Sequence, residues 1–117
     1  MKPYLVDVPV MIYVFVRPNN LEKVFSVVRK ARPSTLFLVS DGPREFVDTD
    51  KEKIMASKKI VENVDWECKV YRLYSNVNQG MYANGKNARE FIFKKVDRCI
   101  VLEDDVIPSV SFFQFCS

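Results

Sequence analysis

The feature that most constrains the fold is an unbroken apolar run near the amino end of the chain. Residues Val10–Val16 read Val-Met-Ile-Tyr-Val-Phe-Val and contain no charged side chain. A strand that is apolar on both faces has to be covered on both faces, which is typical of a central strand in a parallel sheet. The run therefore predicts an α/β domain with helices packed on either side of a sheet.

The rest of the chain alternates between helical and extended patterns. Apolar residues recur at helical spacing in three segments: Leu21–Ala31, a stretch from the capping residues Asp48–Asp50 to about Val64, and a stretch after Gly80. Extended apolar patterns lie at Thr35–Ser40, Lys69–Tyr74 and Cys99–Leu102. Because crossovers between parallel strands are right-handed, this order predicts a three-layer α/β/α domain with a mostly parallel sheet.

The composition fits one domain over residues 1–117 and excludes some classes of partner and of catalysis. The net charge of +3 is too mild to indicate nucleic acid, and the absence of histidine excludes Ser-His and Cys-His catalysis within this chain. Three cysteines without metal-ligand spacing favour structural thiols in a reducing compartment. The apolar run is too short to span a bilayer and no signal peptide is recognisable, so we expect a cytoplasmic domain without a transmembrane segment.

Polar side chains follow each predicted strand. They are Arg17 after the first, Asp41 after the second, the Asn76–Gly80 loop with Asn78 after the third, and Glu103-Asp104-Asp105 after the fourth. Ligands of open parallel sheets bind beyond the carboxyl ends of the strands. We therefore expect the chemistry at this edge of the sheet.

The acidic triplet Glu103-Asp104-Asp105 is the strongest candidate for a metal site. Adjacent carboxylates repel one another, and a divalent cation offsets that repulsion. Oxygen ligands favour Mg²⁺ or Mn²⁺, either of which can also bridge phosphate oxygens. The alternative is a solvated turn that caps the next helix.

The context of the triplet resembles a known family. Val101–Pro108, followed by Ser111–Phe115, is similar to the acidic metal-binding motif of GT-A glycosyltransferases. It looks especially like the N-acetylglucosaminyltransferase I-like and family 2-like branch, in which Leu-Glu-Asp-Asp precedes a Phe-Phe pair. Arg17-Pro18, Asp41 and the Asn78-Gln79-Gly80 loop resemble further parts of that family in the same order. The resemblance covers about residues 8 to 115.

The resemblance implies a nucleotide-sugar-binding domain with roles for individual residues. Asp104 and Asp105 would bind the metal, Asp105 more directly, while Glu103 and Asp104 would contact the nucleotide sugar. Arg17 and Asp41 would contact the base or ribose. Asn78, in the loop before the third helix, would be a further contact of the substrate. Lys86, on the third helix, could reach phosphate. From the residues alone, Arg17 could instead pair with an acid, Asp41 could make a turn, and Lys86 could face solvent.

The reaction implied is metal-assisted transfer of a sugar, with UDP as the commonest nucleotide in the family, to a hydroxyl acceptor such as a glycan. The acceptor-binding half and its catalytic base have no counterpart in this sequence. We therefore expect a truncated chain that binds the nucleotide sugar and transfers little by itself. An open sheet edge and the apolar face of Phe112, Phe113 and Phe115 would favour self-association, which light scattering can test.

Two other readings compete with this one. Gly80–Lys86, followed by Asn87, nearly fits the phosphate-binding P-loop pattern, although Asn87 replaces the expected hydroxyl residue. A P-loop requires a cradle of backbone N–H groups rather than a helix around Gly85 and Lys86. A non-enzymatic α/β module, for instance receiver-like, needs acids after its first and third strands, where this chain has Arg17 and Ser75-Asn76.

Overall fold

The computed structural model describes residues 2–102, apart from the side chain of Met81. Strands and helices alternate along these residues in the predicted order. They are β1 Val6–Tyr13, α1 Pro18–Ala31, β2 Pro33–Ser40, α2 Asp50–Val61, β3 Lys69–Tyr74, α3 Met81–Phe93 and β4 Ile100–Leu102. The predicted amphipathic segment Phe112–Phe115 lies outside the described residues, as does the acidic triplet.

The four strands form one parallel sheet in the order β3-β2-β1-β4. Met11 in β1 lies between Phe37 of β2 and Val101 of β4, so the unbroken apolar run belongs to a central strand. The predicted parallel sheet is therefore confirmed. The chain moves outward from β1 to β2 and β3, then crosses back to place β4 on the other side of β1.

Helices cover both faces of the sheet, as predicted. One core cluster includes Ile12, Leu21 and Phe25 and joins the sheet to α1 and the end of α2. The other joins Met11 and Phe37 to Ala88 and Ile92 of α3. Since crossovers share one hand, the reversal of direction before β4 puts α3 on the face opposite α1 and α2.

Several predicted boundaries are wrong by a few residues. The first strand was expected at Val10–Val16 but spans Val6–Tyr13. Val6 and Val8 are buried there, while Asp7 between them is exposed and accepts a hydrogen bond from Ser34 Oγ at 2.7 Å. Buried and exposed residues alternate at this end of β1, which makes it a half-exposed extension of the strand. An unbroken apolar run does not include such an extension. In addition, α2 ends at Val61 rather than near Val64, and β4 begins one residue after Cys99.

Candidate functional site at the carboxyl edge of the sheet

The carboxyl ends of β1, β2 and β3 meet at one edge, and the predicted binding residues Asp41 and Asn78 lie there. Asp41 directly follows β2, and Asn78 lies in the loop between β3 and α3. Arg17 is the exposed residue before α1, and its carbonyl accepts a hydrogen bond from Leu21 N at 2.9 Å. Lys86 is exposed within α3. The structure brings Asp41 and Asn78 into one hydrogen-bonded group.

The Asp41 carboxylate binds three backbone N–H groups from two different loops. Its Oδ1 accepts from Gly42 N and from Gln79 N, each at 2.8 Å, and its Oδ2 accepts from Gly80 N at 3.1 Å. Asn78 Nδ2 donates to the carbonyl of Gly42 at 2.9 Å. We call these five residues, Asp41, Gly42, Asn78, Gln79 and Gly80, the Asp41 junction. It ties the end of β2 to the start of α3.

The two loops of the junction are in backbone contact. A Cβ atom added to Gly42 would lie 2.5 Å from the carbonyl carbon of Val77 and 2.8 Å from that of Asn76. Real Cβ atoms do not approach carbon that closely, since carbon atoms in contact are about 3.5–4.0 Å apart. Only glycine at position 42 therefore allows this packing.

A second ordered group at this edge was missed from the sequence. Asp50 is buried and receives three hydrogen bonds from Arg44, at 2.9 Å from its N, 2.8 Å from Nε and 2.9 Å from Nη2. These hydrogen bonds lower the pKa of the Asp50 carboxyl below its usual value. The Arg44 guanidinium also lies 5.8 Å from the centre of the Phe15 ring, just after β1. The loop between β2 and α2 is thereby fixed beside the end of β1.

The predicted capping of α2 needs a correction. Thr49 occupies the N-cap position, but no side chain there binds the helix. Asp50 instead uses both carboxylate oxygens for Arg44, six residues earlier. An arginine followed closely by several acids indicates an ion pair in this loop. The sequence does not show which acid Arg44 binds.

The P-loop reading is contradicted. Gly85 and Lys86 lie inside α3, which spans Met81–Phe93, so they form no phosphate cradle. Gly85 has a packing role instead: a Cβ atom there would lie 3.1 Å from the hydroxyl of Tyr13, at the end of β1. The glycine lets α3 approach the sheet closely.

The predicted metal ligands Asp104 and Asp105, and Glu103 beside them, lie outside the described residues. Within residues 2–102, no three His, Cys, Asp or Glu side chains form a group that could hold a metal ion. The metal prediction therefore depends wholly on the triplet. The last described residue, Leu102 of β4, pairs with Ile12 of β1.

The described cysteines directly precede β3 and β4, at the amino ends of these strands, and they are poorly suited to nucleophilic or metal-binding chemistry. Cys68 and Cys99 are partly buried, and burial raises the pKa of each thiol to about 11. A nucleophilic or metal-binding cysteine needs the opposite shift, because the thiolate is the reactive form. Both thiols are protonated near neutral pH.

Across residues 2–102, no helix is both long and apolar enough to cross a membrane. Comparison of the chain with models of known protein families, with curated proteins and with solved structures finds no match. The functional assignment therefore depends on the topology of the sheet and on the chemistry at its carboxyl edge.

Proposed function

We propose that the chain is the nucleotide-sugar-binding domain of a GT-A-like glycosyltransferase. The nucleoside diphosphate would bind beyond the carboxyl ends of β1 and β2. A divalent cation, Mg²⁺ or Mn²⁺, would bind at Asp104 and Asp105.

The observation that carries this proposal is the position of β4 in the sheet. Ligands of open parallel sheets bind where the strand order reverses, and here that point lies between β1 and β4. Ile12 of β1 pairs with Leu102 of β4, and Glu103 is the next residue in the chain. We infer that the acidic triplet begins at the switch point, the part of such a sheet where phosphate groups and their metals bind.

The chemistry of the triplet fits a hard divalent cation. Three consecutive carboxylates supply oxygen ligands, whereas softer metals prefer the nitrogen or sulfur ligands that this segment lacks. The bound cation would neutralise the charge that develops on the departing diphosphate. The residues of this chain would bind and orient the nucleotide sugar, and the base that activates the acceptor hydroxyl would come from outside it.

Positive groups near the same edge suit an anionic ligand. Arg17 follows β1 and Lys86 projects from α3, which itself begins at this edge. Arg17 and Lys86 remain predicted contacts of the nucleotide.

Calorimetric titration of the chain with UDP and UDP-sugars, with and without Mn²⁺, tests the proposal. We expect binding that requires the cation and that Asp105→Ala weakens by at least about tenfold, which corresponds to about 1.4 kcal/mol. Asp97→Ala is the matched control, because it removes an exposed carboxylate on the amino side of β4. Its affinity should equal that of the wild type.

Three results would contradict the proposal. They are an absence of nucleotide binding at millimolar concentration with Mn²⁺, binding that ignores the cation, and equal losses in Asp105→Ala and Asp97→Ala. A parallel titration with ATP tests whether the site prefers the uracil nucleotide. Equal affinity for ATP and UDP would indicate a general phosphate-binding module instead of a nucleotide-sugar domain.

A further inference from the structure

The Asp41 carboxylate has little capacity left for a ligand. A carboxylate accepts about four hydrogen bonds, and Asp41 already accepts three from backbone N–H groups. Two of those groups, Gln79 N and Gly80 N, lie 38 and 39 residues further along the chain. This bonding joins two separate loops, which goes beyond the local turn that Asp41-Gly42-Pro43 indicates by itself.

The hydrogen bond from Gly80 N to Asp41 holds a backbone conformation that is unusual. Gly80 has φ +86° and ψ 154°, a conformation open almost only to glycine, and it is the N-cap of α3. No side chain caps the helix from within that turn. Gln79 and Gly80, which lead into α3, are therefore held from outside, by Asp41 at the end of β2.

The charge of Asp41 suits the place it occupies. A carboxylate beside the amino end of a helix is favoured by the helix dipole, and hydrogen bonds from N–H groups to a charged acceptor are stronger than those between neutral groups. Asn78 adds a further bond between the same loops through the Gly42 carbonyl. The Asp41 junction thus fixes the spacing between β2 and α3.

We propose that Asp41 is a positioning residue: it acts on the nucleotide site by holding Gln79, Gly80 and the start of α3 in place, and it does not read the base itself. The inference rests on the proposed function for the identity of the ligand. It differs from the role that the family resemblance implies, in which Asp41 contacts the base or ribose.

The test uses Asp41→Asn, with Asp48→Asn as the matched control on an exposed acid of the following loop. The asparagine amide nitrogen cannot accept a hydrogen bond, so Gln79 N or Gly80 N must lose its acceptor. Hydrogen exchange followed by NMR, without nucleotide, should show exchange at one of these two amides about five- to tenfold faster in Asp41→Asn. In Asp41→Asn, the amides of the β2 core should exchange at wild-type rates. In Asp48→Asn, the Gln79 and Gly80 amides should also exchange at wild-type rates.

The second readout is nucleotide affinity with Mn²⁺. If Asp41 positions the site, Asp41→Asn weakens UDP and CDP by the same factor, so that the preference between the bases is unchanged. If Asp41 reads the base, the preference shifts while the Gln79 and Gly80 amides keep their protection, and that result overturns the inference. Unchanged exchange at both amides also overturns it, whatever the nucleotide result.

The two readouts separate this inference from the proposed function. A wild-type chain that binds no nucleotide refutes the proposed function and with it the action of Asp41 on a nucleotide site. Faster amide exchange in Asp41→Asn, with nucleotide affinity equal to that of the wild type, refutes the positioning role alone.

Discussion

Replacing Gly42 with alanine tests how tightly the loops after β2 and β3 pack. The new Cβ atom would lie 2.5 Å from the Val77 carbonyl carbon and 2.7 Å from the Val77 nitrogen. Both neighbours are backbone atoms, so one loop must shift by about 1 Å to restore a normal contact. Overpacking of this kind costs about 1–3 kcal/mol, and the smaller entropy of the unfolded alanine variant offsets about 0.4–1 kcal/mol of it. We expect Gly42→Ala to lower the free energy of unfolding by about 1–2 kcal/mol.

Thermal unfolding followed by circular dichroism measures this loss. A change of that size lowers the midpoint of a domain of this length by about 5–10 °C. Gly85→Ala is the matched control, because its Cβ atom would meet only side-chain ends, the Tyr13 hydroxyl at 3.1 Å and Arg89 Nη1 at 3.4 Å. Alanine also gains about 0.5–1 kcal/mol over glycine inside a helix, so this variant should be neutral or slightly stabilised. A Gly42→Ala midpoint at or above that of the wild type would refute the packing argument.

Three further predictions concern the core, acid stability and the thiols. Trp66→Phe removes the buried indole donor that lies 2.8 Å from the Pro33 carbonyl, and urea denaturation should show a loss of about 2–3 kcal/mol; a loss below about 0.5 kcal/mol would contradict it. The lowered pKa of Asp50 stabilises the fold above the unfolded pKa of about 3.9, and this contribution disappears as the pH falls through the folded pKa. The stability difference between wild type and Asp50→Asn should therefore be constant near neutral pH and shrink below about pH 4, whereas a constant difference down to pH 2 would be inconsistent with this linkage. Since burial raises the pKa of the Cys68 and Cys99 thiols to about 11, iodoacetamide at pH 8 should label them much faster in urea than in the folded chain, as peptide mass spectrometry can measure; equal rates would rule this out.

The parallel sheet could be predicted because its signal is local. The apolar residues of Val10–Val16 indicate a strand that is covered on both faces, and helical spacing over Leu21–Ala31 indicates the covering element. The carboxyl edge is the expected place for the candidate site, because parallel strands all end on the same side of the sheet. The alternation at Val6 and Val8 is a local signal of the same kind, but it is weaker than the unbroken run that follows it.

The partners within the edge could not be predicted. From the sequence, Asp41 could be a turn residue or a nucleotide contact, and no local pattern assigns a partner to Arg44. The bonds from Asp41 to Gln79 and Gly80 exist only because β2 and β3 are neighbours in the sheet. The bond between Arg44 and Asp50 depends on the path of the loop between β2 and α2.

Local sequence patterns are enough to locate the strands and helices, because burial on one or both faces leaves a periodic pattern in the chain. It also supplied the acidic triplet and its resemblance to a metal-binding motif. The folded arrangement, in contrast, places Gly85 against Tyr13 and makes glycine necessary at position 42 for backbone contact with Val77. Such contacts join residues that are distant in the chain, so their geometry is set by strand order and packing, which no local pattern records.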